Sequence, residues 1–131
     1  MTIASSSNDD LWCANAFYKF LPEQDALLFT SNEQTRHIKI ATTSSLNSPD
    51  KYSIIAGSIV LETEEIGKIR GLQFRGELTK INRDKLKYRL SYLQRFPYAV
   101  LKNETLWLLI LKELKYTDNR LGFGKKEIVF L

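Results

Sequence analysis

The 131-residue chain contains one cysteine, Cys13, and one histidine, His37. A single thiol cannot close an internal disulfide, and with no second cysteine or histidine cluster no set of residues offers metal-ligand spacing. No apolar run approaches the length of a membrane span, and Met1 to Ser7 lack the basic start and long apolar segment of a signal peptide. A soluble protein of the reducing cytoplasm is expected. Charge of one sign is not in large excess either: 19 Lys and Arg against 15 Asp and Glu leave a net +4. That balance suits a phosphate-bearing ligand or nucleic acid and identifies neither.

Patterns that would carry chemistry on their own are also missing. No serine sits in a nucleophile elbow, any Ser/His or Cys/His mechanism would have to use His37, and Cys13 falls in a predicted strand, where a small core residue is expected. The carboxylates are scattered, and Glu64-Glu65 reads as a loop rather than an acid/base pair. The glycine-rich run Asn119 to Lys126 lacks Walker spacing and precedes a strand instead of a helix. It is either a turn with exposed lysines or a flexible cationic segment that reaches a ligand held mainly elsewhere. No repeat, low-complexity tract or linker divides residues 1–131, so a single domain is expected.

The residues present, 44% hydrophobic and 26% charged, are enough to close one core. Strands are predicted at Thr2 to Ser5, Leu11 to Tyr18 and Ala26 to Thr30, with turns at Ser6 to Asp10 and Pro22 to Asp25. A short helix over 33–41 and a polar loop over Thr42 to Lys51 follow. Ser53 to Glu62 is a strand in which Gly57 marks a bulge. Ile69 to Thr79 alternates cleanly, with Leu72, Phe74 and Leu78 on one side. Asn82 caps a second helix to about Phe96 that carries Leu86, Leu90 and Leu93 on its core stripe and Arg83, Lys85, Lys87 and Arg89 on a solvated face. Thr105 to Tyr116 is apolar on both sides, so it either crosses the barrel centre or is covered by another subunit. A terminal hairpin turns near Asp118 to Arg120 or Gly122 and returns through Glu127 to Phe130. Many strands, two short helices and no βαβ alternation predict a mainly β protein, a closed β-barrel with short helices at its rim. Phe17, Phe74 and Trp107 suit its core better than base stacking, and a nucleic-acid partner is not favoured.

The most informative stretch is Ser31-Asn32-Glu33-Gln34-Thr35-Arg36-His37, a polar run between an apolar strand and a helix start. Ser31 and Gln34 have capping-box spacing, which puts Thr35, Arg36 and His37 near the first turn. Unpaired N–H groups, the positive end of the helix dipole, two hydroxyls, an arginine and a histidine can converge there on one anion. The alternative is an ordinary helix cap with solvated charges.

Five segments carry a family resemblance: Leu11 to Tyr18, Thr35-Arg36-His37, Ile69 to Glu77, Arg95-Phe96-Pro97 and Tyr116 to Lys126. Together they resemble the YhbP-like family of bacterial proteins, a branch of the pyridoxamine 5'-phosphate oxidase-like flavin-binding split barrels. The resemblance implies an FMN-binding split barrel that works as a homodimer with FMN at the subunit interface. It implies that Ser31, Thr35, Arg36 and His37 hold the FMN phosphate, with histidine at the position usually taken by lysine. Asn15, Ala16, Phe17, Leu28, Phe29 and Thr30 would line the isoalloxazine side, and Lys125 would reach the ligand from the last loop. Family members generally begin with a short helix before the first strand, which implies a shortened start for this chain. The expected function is a flavin-dependent oxidoreductase of unknown substrate, and the alternative is a non-catalytic protein that binds flavin or another anionic cofactor.

Overall fold

A computed structural model describes residues 1–46 and 53–131. One antiparallel sheet contains eight strands: β1 (Thr2–Ser7), β2 (Asp10–Asn15), β3 (Tyr18–Leu21), β4 (Ala26–Thr30), β5 (Ser53–Leu61), β6 (Arg70–Lys80), β7 (Leu106–Asp118) and β8 (Lys126–Phe130). Seven of them follow the path β2-β1-β5-β6-β7-β4-β3, and β8 adds to the far half of β7. Only Ala16 and Phe17 separate β2 from β3, so the two ends of this path are one stretch of chain. That connection curls the sheet into a barrel. The split lies along β7, whose first half pairs with β4 at Leu106 to Ile110 and whose second half pairs with β8 at Glu113 to Thr117.

Two helices cover this sheet. α1 (Arg36–Leu46) is longer than the sequence predicts and starts later. It runs on through Thr42 and Thr43, in the stretch expected to be loop, and their hydroxyls find partners by donating back to the carbonyls of Ile38 and Lys39. The rest of the expected loop, 47–51, lies outside the described residues. Ile38 and Ala41 of α1 enter the interior cluster with Ile3, Phe29, Ile55, Phe74, Trp107 and Leu109.

α2 (Lys85–Arg95) begins after Asp84, whose φ of 52° is left-handed, and not after Asn82. It buries a different face from the expected one. Tyr92 and Phe96 pack with Ala26, Leu28, Leu106 and Leu108, while Leu86 and Leu90 stay 71% and 59% exposed. Two large rings bury more apolar area than the leucines, and they set the helix rotation. Arg83, Lys85 and Lys87 are solvated as expected, but the half-buried Arg89 donates to the carbonyls of Ala99 and Lys102 and ties the following 3₁₀ turn to the helix.

This packing selects between the two expectations for β7, the barrel centre rather than another subunit. Trp107, Leu109 and Leu111 fill the barrel interior, and Leu106 and Leu108 on the other face lie under α2 of the same chain. A second subunit is not needed to cover that strand. The expected bulge at Gly57 is also absent, because the β5–β6 ladder runs through it unbroken. Gly57 is required for a different reason: a Cβ there would collide with the Phe74 ring and the Thr2 carbonyl. The register shift falls instead between Arg75 and Gly76, opposite β7. Phe74 and Trp107 are core as expected, whereas Phe17 is 70% exposed and Cys13 lies exposed on β2.

Candidate functional site

The end of β4 and the start of α1 meet at Ser31. Its N–H donates to the Thr105 carbonyl (3.0 Å), and its own carbonyl accepts from the buried Trp107 indole N–H (3.0 Å). Both bonds run to the chain entering β7, so the sheet fixes where the polar run begins. Asn32, not Ser31, shapes the turn that follows. The Asn32 side chain accepts from the Gln34 N–H (2.8 Å), and its carbonyl accepts from the Thr35 N–H (3.1 Å) and hydroxyl (2.7 Å). The first helical bond then runs from the Lys39 N–H to the Thr35 carbonyl. Arg36, His37 and Ile38 therefore supply the N–H groups that precede intrahelical pairing, at the positive end of the helix.

Three of the expected phosphate contacts gather here. Ser31 Oγ lies 2.9 Å from His37 Nε2 and 3.3 Å from Thr35 Oγ1. Burial pushes the His37 imidazole below its ordinary value of 6.5, so at neutral pH it is an uncharged hydrogen-bonding group. Ser31 is itself buried, Thr35 and His37 are half-buried, and Arg36 is exposed. The Arg36 guanidinium reaches β2, where Nη2 donates to Asp10 Oδ1 (2.7 Å) and its centre sits 4.2 Å from the centroid of the Trp12 ring.

The remaining candidates divide into three groups. Asn15, Ala16 and Phe17 line an open cleft of about 310 Å³ together with Met1, Thr2, Ser58, Ile59 and Val60. Leu28 and Phe29 are fully buried, Leu28 under α2 and Phe29 in the barrel interior, so neither side chain faces a surface. Thr30 is half-buried, with its hydroxyl 3.5 Å from the Tyr92 hydroxyl, which in turn lies 3.4 Å from the Phe17 carbonyl. Lys125 is exposed on the turn before β8, and no hydrogen bond or ion pair among the described residues joins it to the helix start. A larger cavity of about 480 Å³, lined by Lys80, Lys85, Arg89 and Thr105 among others, contains none of the candidates.

Sequence reasoning missed Asp10, Trp12 and Trp107. Asp10 and Trp12 are two apart on β2 and share a face, a signal that becomes readable once the strand is known to begin at Asp10 rather than Leu11. The bond from Trp107 to Ser31 spans 76 residues and has no local signal.

Among known proteins, the chain is 37% identical over 127 residues to a UPF0306 protein of Photorhabdus laumondii, covering 96% of this chain and 83% of that one. It is 36% identical over 127 residues to a UPF0306 protein of Klebsiella pneumoniae, covering 96% and 81%. No protein-family model matches. The fold is shared with a haem-binding protein from Mycobacterium smegmatis (TM-score 0.74, 16% identity, 98% of this chain), of whose length this chain spans 51%. It is shared with a Clostridium acetobutylicum protein of the pyridoxinephosphate oxidase family, related to general stress protein 26 (TM-score 0.64, 12% identity, 99% and 84% coverage). A FAD-binding protein from Mesorhizobium loti also has it (TM-score 0.61, 8% identity, 86% and 80% coverage). The architecture is thus the split barrel of the pyridoxamine 5'-phosphate oxidase-like proteins, and the match at 37% identity over 96% of this chain and 83% of its relative means that the chain belongs to the UPF0306 family, the YhbP-like proteins.

Proposed function

We propose that this protein binds FMN and acts as a flavin-dependent oxidoreductase. The observation that carries the reading is the start of α1, where the Thr35 hydroxyl and the His37 imidazole meet at Ser31 beside the backbone N–H groups of the first turn, while Arg36 opens the helix with its guanidinium turned toward β2. The donor set fits a phosphate: one fixed cation, neutral donors and a helix terminus. Arg36 supplies most of the charge, because the desolvated His37 carries little at neutral pH. The buried Ser31 acts by orienting His37 and Thr35. The cleft along Asn15, Ala16 and Phe17 offers an exposed ring and apolar neighbours to a flat heterocycle. When bound, FMN supplies hydride or single-electron transfer, and the residues of the chain bind the phosphate, shield one side of the ring and shape access.

A homodimer belongs to the same reading, on a different ground from the one that β7 suggested. The outward face of β5 and β8 exposes Ile54 and Val60 on one side and Ile128 and Phe130 on the other of a polar strip made by Gln73, Arg75, Glu113 and Lys115, a mix of apolar and polar surface that a partner can cover. A second copy seated on this face would cover it and close the cleft that Val60 shares with Phe17. A cytoplasmic location agrees with the single exposed thiol of Cys13.

The experiment is calorimetry of the purified protein with FMN, riboflavin, FAD and haemin. Binding of FMN at least tenfold tighter than riboflavin supports the phosphate seat. Equal affinity for the two removes it, and preference for haemin turns the reading to the other ligand known on this fold. Turnover with a reduced nicotinamide and an electron acceptor separates an oxidoreductase from a flavin-storing protein. Ile54→Glu, which lies away from the cleft residues, tests the interface by sedimentation equilibrium.

A further inference from the structure

We propose that Asp10 and Trp12 regulate the phosphate seat in opposite senses, Asp10 as an internal competitor for Arg36 and Trp12 as the platform that positions it. This inference rests on the phosphate seat proposed above and adds to it two residues of another strand. Asp10 opens β2, and Trp12 follows two residues later on the same face. Arg36 is the first residue of α1, and its side chain crosses to both.

The geometry gives the two partners different parts of the guanidinium. Its N–H donors lie in the plane of the group and point outward from its edges. Asp10 takes an edge: Oδ1 accepts from Nη2 at 2.7 Å. The Trp12 indole accepts no hydrogen bond from it: the ring lies under the central carbon, 4.2 Å from the centroid, where the face of the group can rest. A phosphate needs edges, where two parallel N–H bonds can form, and does not need the face. Arg36 can therefore exchange the Asp10 carboxylate for a phosphate while its stacking on Trp12 persists. A carboxylate brings one negative charge, a phosphate monoester close to two at neutral pH, so the exchange favours the ligand.

The alternative is that Asp10 and Arg36 simply pin α1 to β2. Against this, both side chains are about half exposed, 53% for Arg36 and 50% for Asp10, and an exposed pair adds little to stability. Ile38 and Ala41, buried in the interior cluster, already fasten the helix. The pair therefore has more effect on the availability of Arg36 than on the fold.

An exposed ion pair shifts an equilibrium by a factor of about two to five, and an exposed cation–π contact by about two to five. Asp10→Asn, which keeps size and removes charge, is expected to tighten FMN binding by about two- to fivefold and to leave riboflavin unchanged. Trp12→Leu is expected to weaken FMN binding by a similar factor, again without effect on riboflavin. Calorimetry on the two variants and the unaltered protein measures both, and thermal melts confirm that each is folded. Either sign reversed, or FMN affinity unmoved in both variants, overturns the proposal. If the unaltered protein binds no flavin, the flavin reading fails, and inorganic phosphate becomes the probe, followed through the Arg36 Nε–H resonance by NMR. A phosphate response that is tighter in Asp10→Asn then upholds the competition at Arg36, and no response in either protein overturns it as well.

Discussion

Trp107→Phe tests whether the sheet holds the candidate site in place. The indole is 3% exposed and donates to the Ser31 carbonyl at 3.0 Å, while its neighbours across the ladder are Phe29 and Lys80. Phenylalanine keeps the aromatic face but removes the N–H. The Ser31 carbonyl then loses a buried partner, at about 1 to 3 kcal/mol. The smaller ring leaves roughly 40 Å³, which at about 24 cal/mol per Å³ adds about 1 kcal/mol. The total is about 2 to 4 kcal/mol. Unfolding entropy near 2.1 cal/mol/K per residue gives a chain of this length about 0.28 kcal/mol/K, so each kcal/mol lowers Tm by about 4 °C. A drop of about 7 to 14 °C by calorimetry is expected. Because Ser31 carries the contacts to His37 and Thr35, FMN affinity should also fall by the worth of about one hydrogen bond, roughly two- to tenfold, relative to riboflavin. Leu109→Ala is the control. It removes a fully buried side chain that stands opposite Leu27, four residues along the chain from the Thr105 carbonyl that meets Ser31, loses about 2 to 5 kcal/mol, and should leave that affinity ratio alone. A Tm drop of only about 4 °C for Trp107→Phe would show that the indole bond contributes nothing. Equal loss of selectivity in both variants would show that the seat responds to general loosening rather than to its anchor.

The remaining predictions concern single groups. Arg36→Ala should weaken FMN by up to about 1.5 to 3 kcal/mol, the worth of a hydrogen bond to a charged group, less what Arg36 forfeits by leaving Asp10. Lys125→Ala should do less, since its loop gives little preorganisation; a calorimetric titration that reverses this order moves the phosphate away from α1. Burial lowers the His37 pKa in the unliganded protein, so any charge that His37 lends to a bound phosphate is gained on binding and should appear as an FMN affinity that rises as the pH falls, a rise absent from His37→Gln. A rise of the same size in His37→Gln would take His37 out of the phosphate seat. Asp118 accepts from Arg120 and the Tyr116 hydroxyl, and these bonds hold its carboxyl far below the usual 3.8. A depressed acid contributes stability that is complete above its unfolded value and is lost as the pH falls below about 4. Asp118→Asn should therefore flatten the acid limb of the stability profile, and an unchanged limb would remove the pair from the account.

The parts of the fold that could be read in the sequence and the parts that could not differ in one physical respect. Strand alternation in Ile69 to Thr79, the apolar run Ala26 to Thr30 and the polar turn after it are local, and β6, β4 and the start of α1 follow from them to within a few residues. The two apolar rows of β7 were also legible as rows that need cover. What covers them was not, because Tyr92 and Phe96 reach Leu106 and Leu108 only after α2 has rotated its rings inward and left Leu86 and Leu90 outside. The site divides along the same line. Thr35, Arg36 and His37 are adjacent in sequence, and a helix start is enough to bring them together. The anchor from Trp107 and the contact with Asp10 are set by which strands the barrel makes neighbours, across 76 and 26 residues. A local pattern can therefore identify a cation at a helix start, but whether that cation is free to meet a ligand depends on a carboxylate that the closure of the sheet brings alongside. Arg36 paired with Asp10 and Arg36 available to a phosphate look the same in the run Ser31 to His37, and they differ only in the tertiary contact.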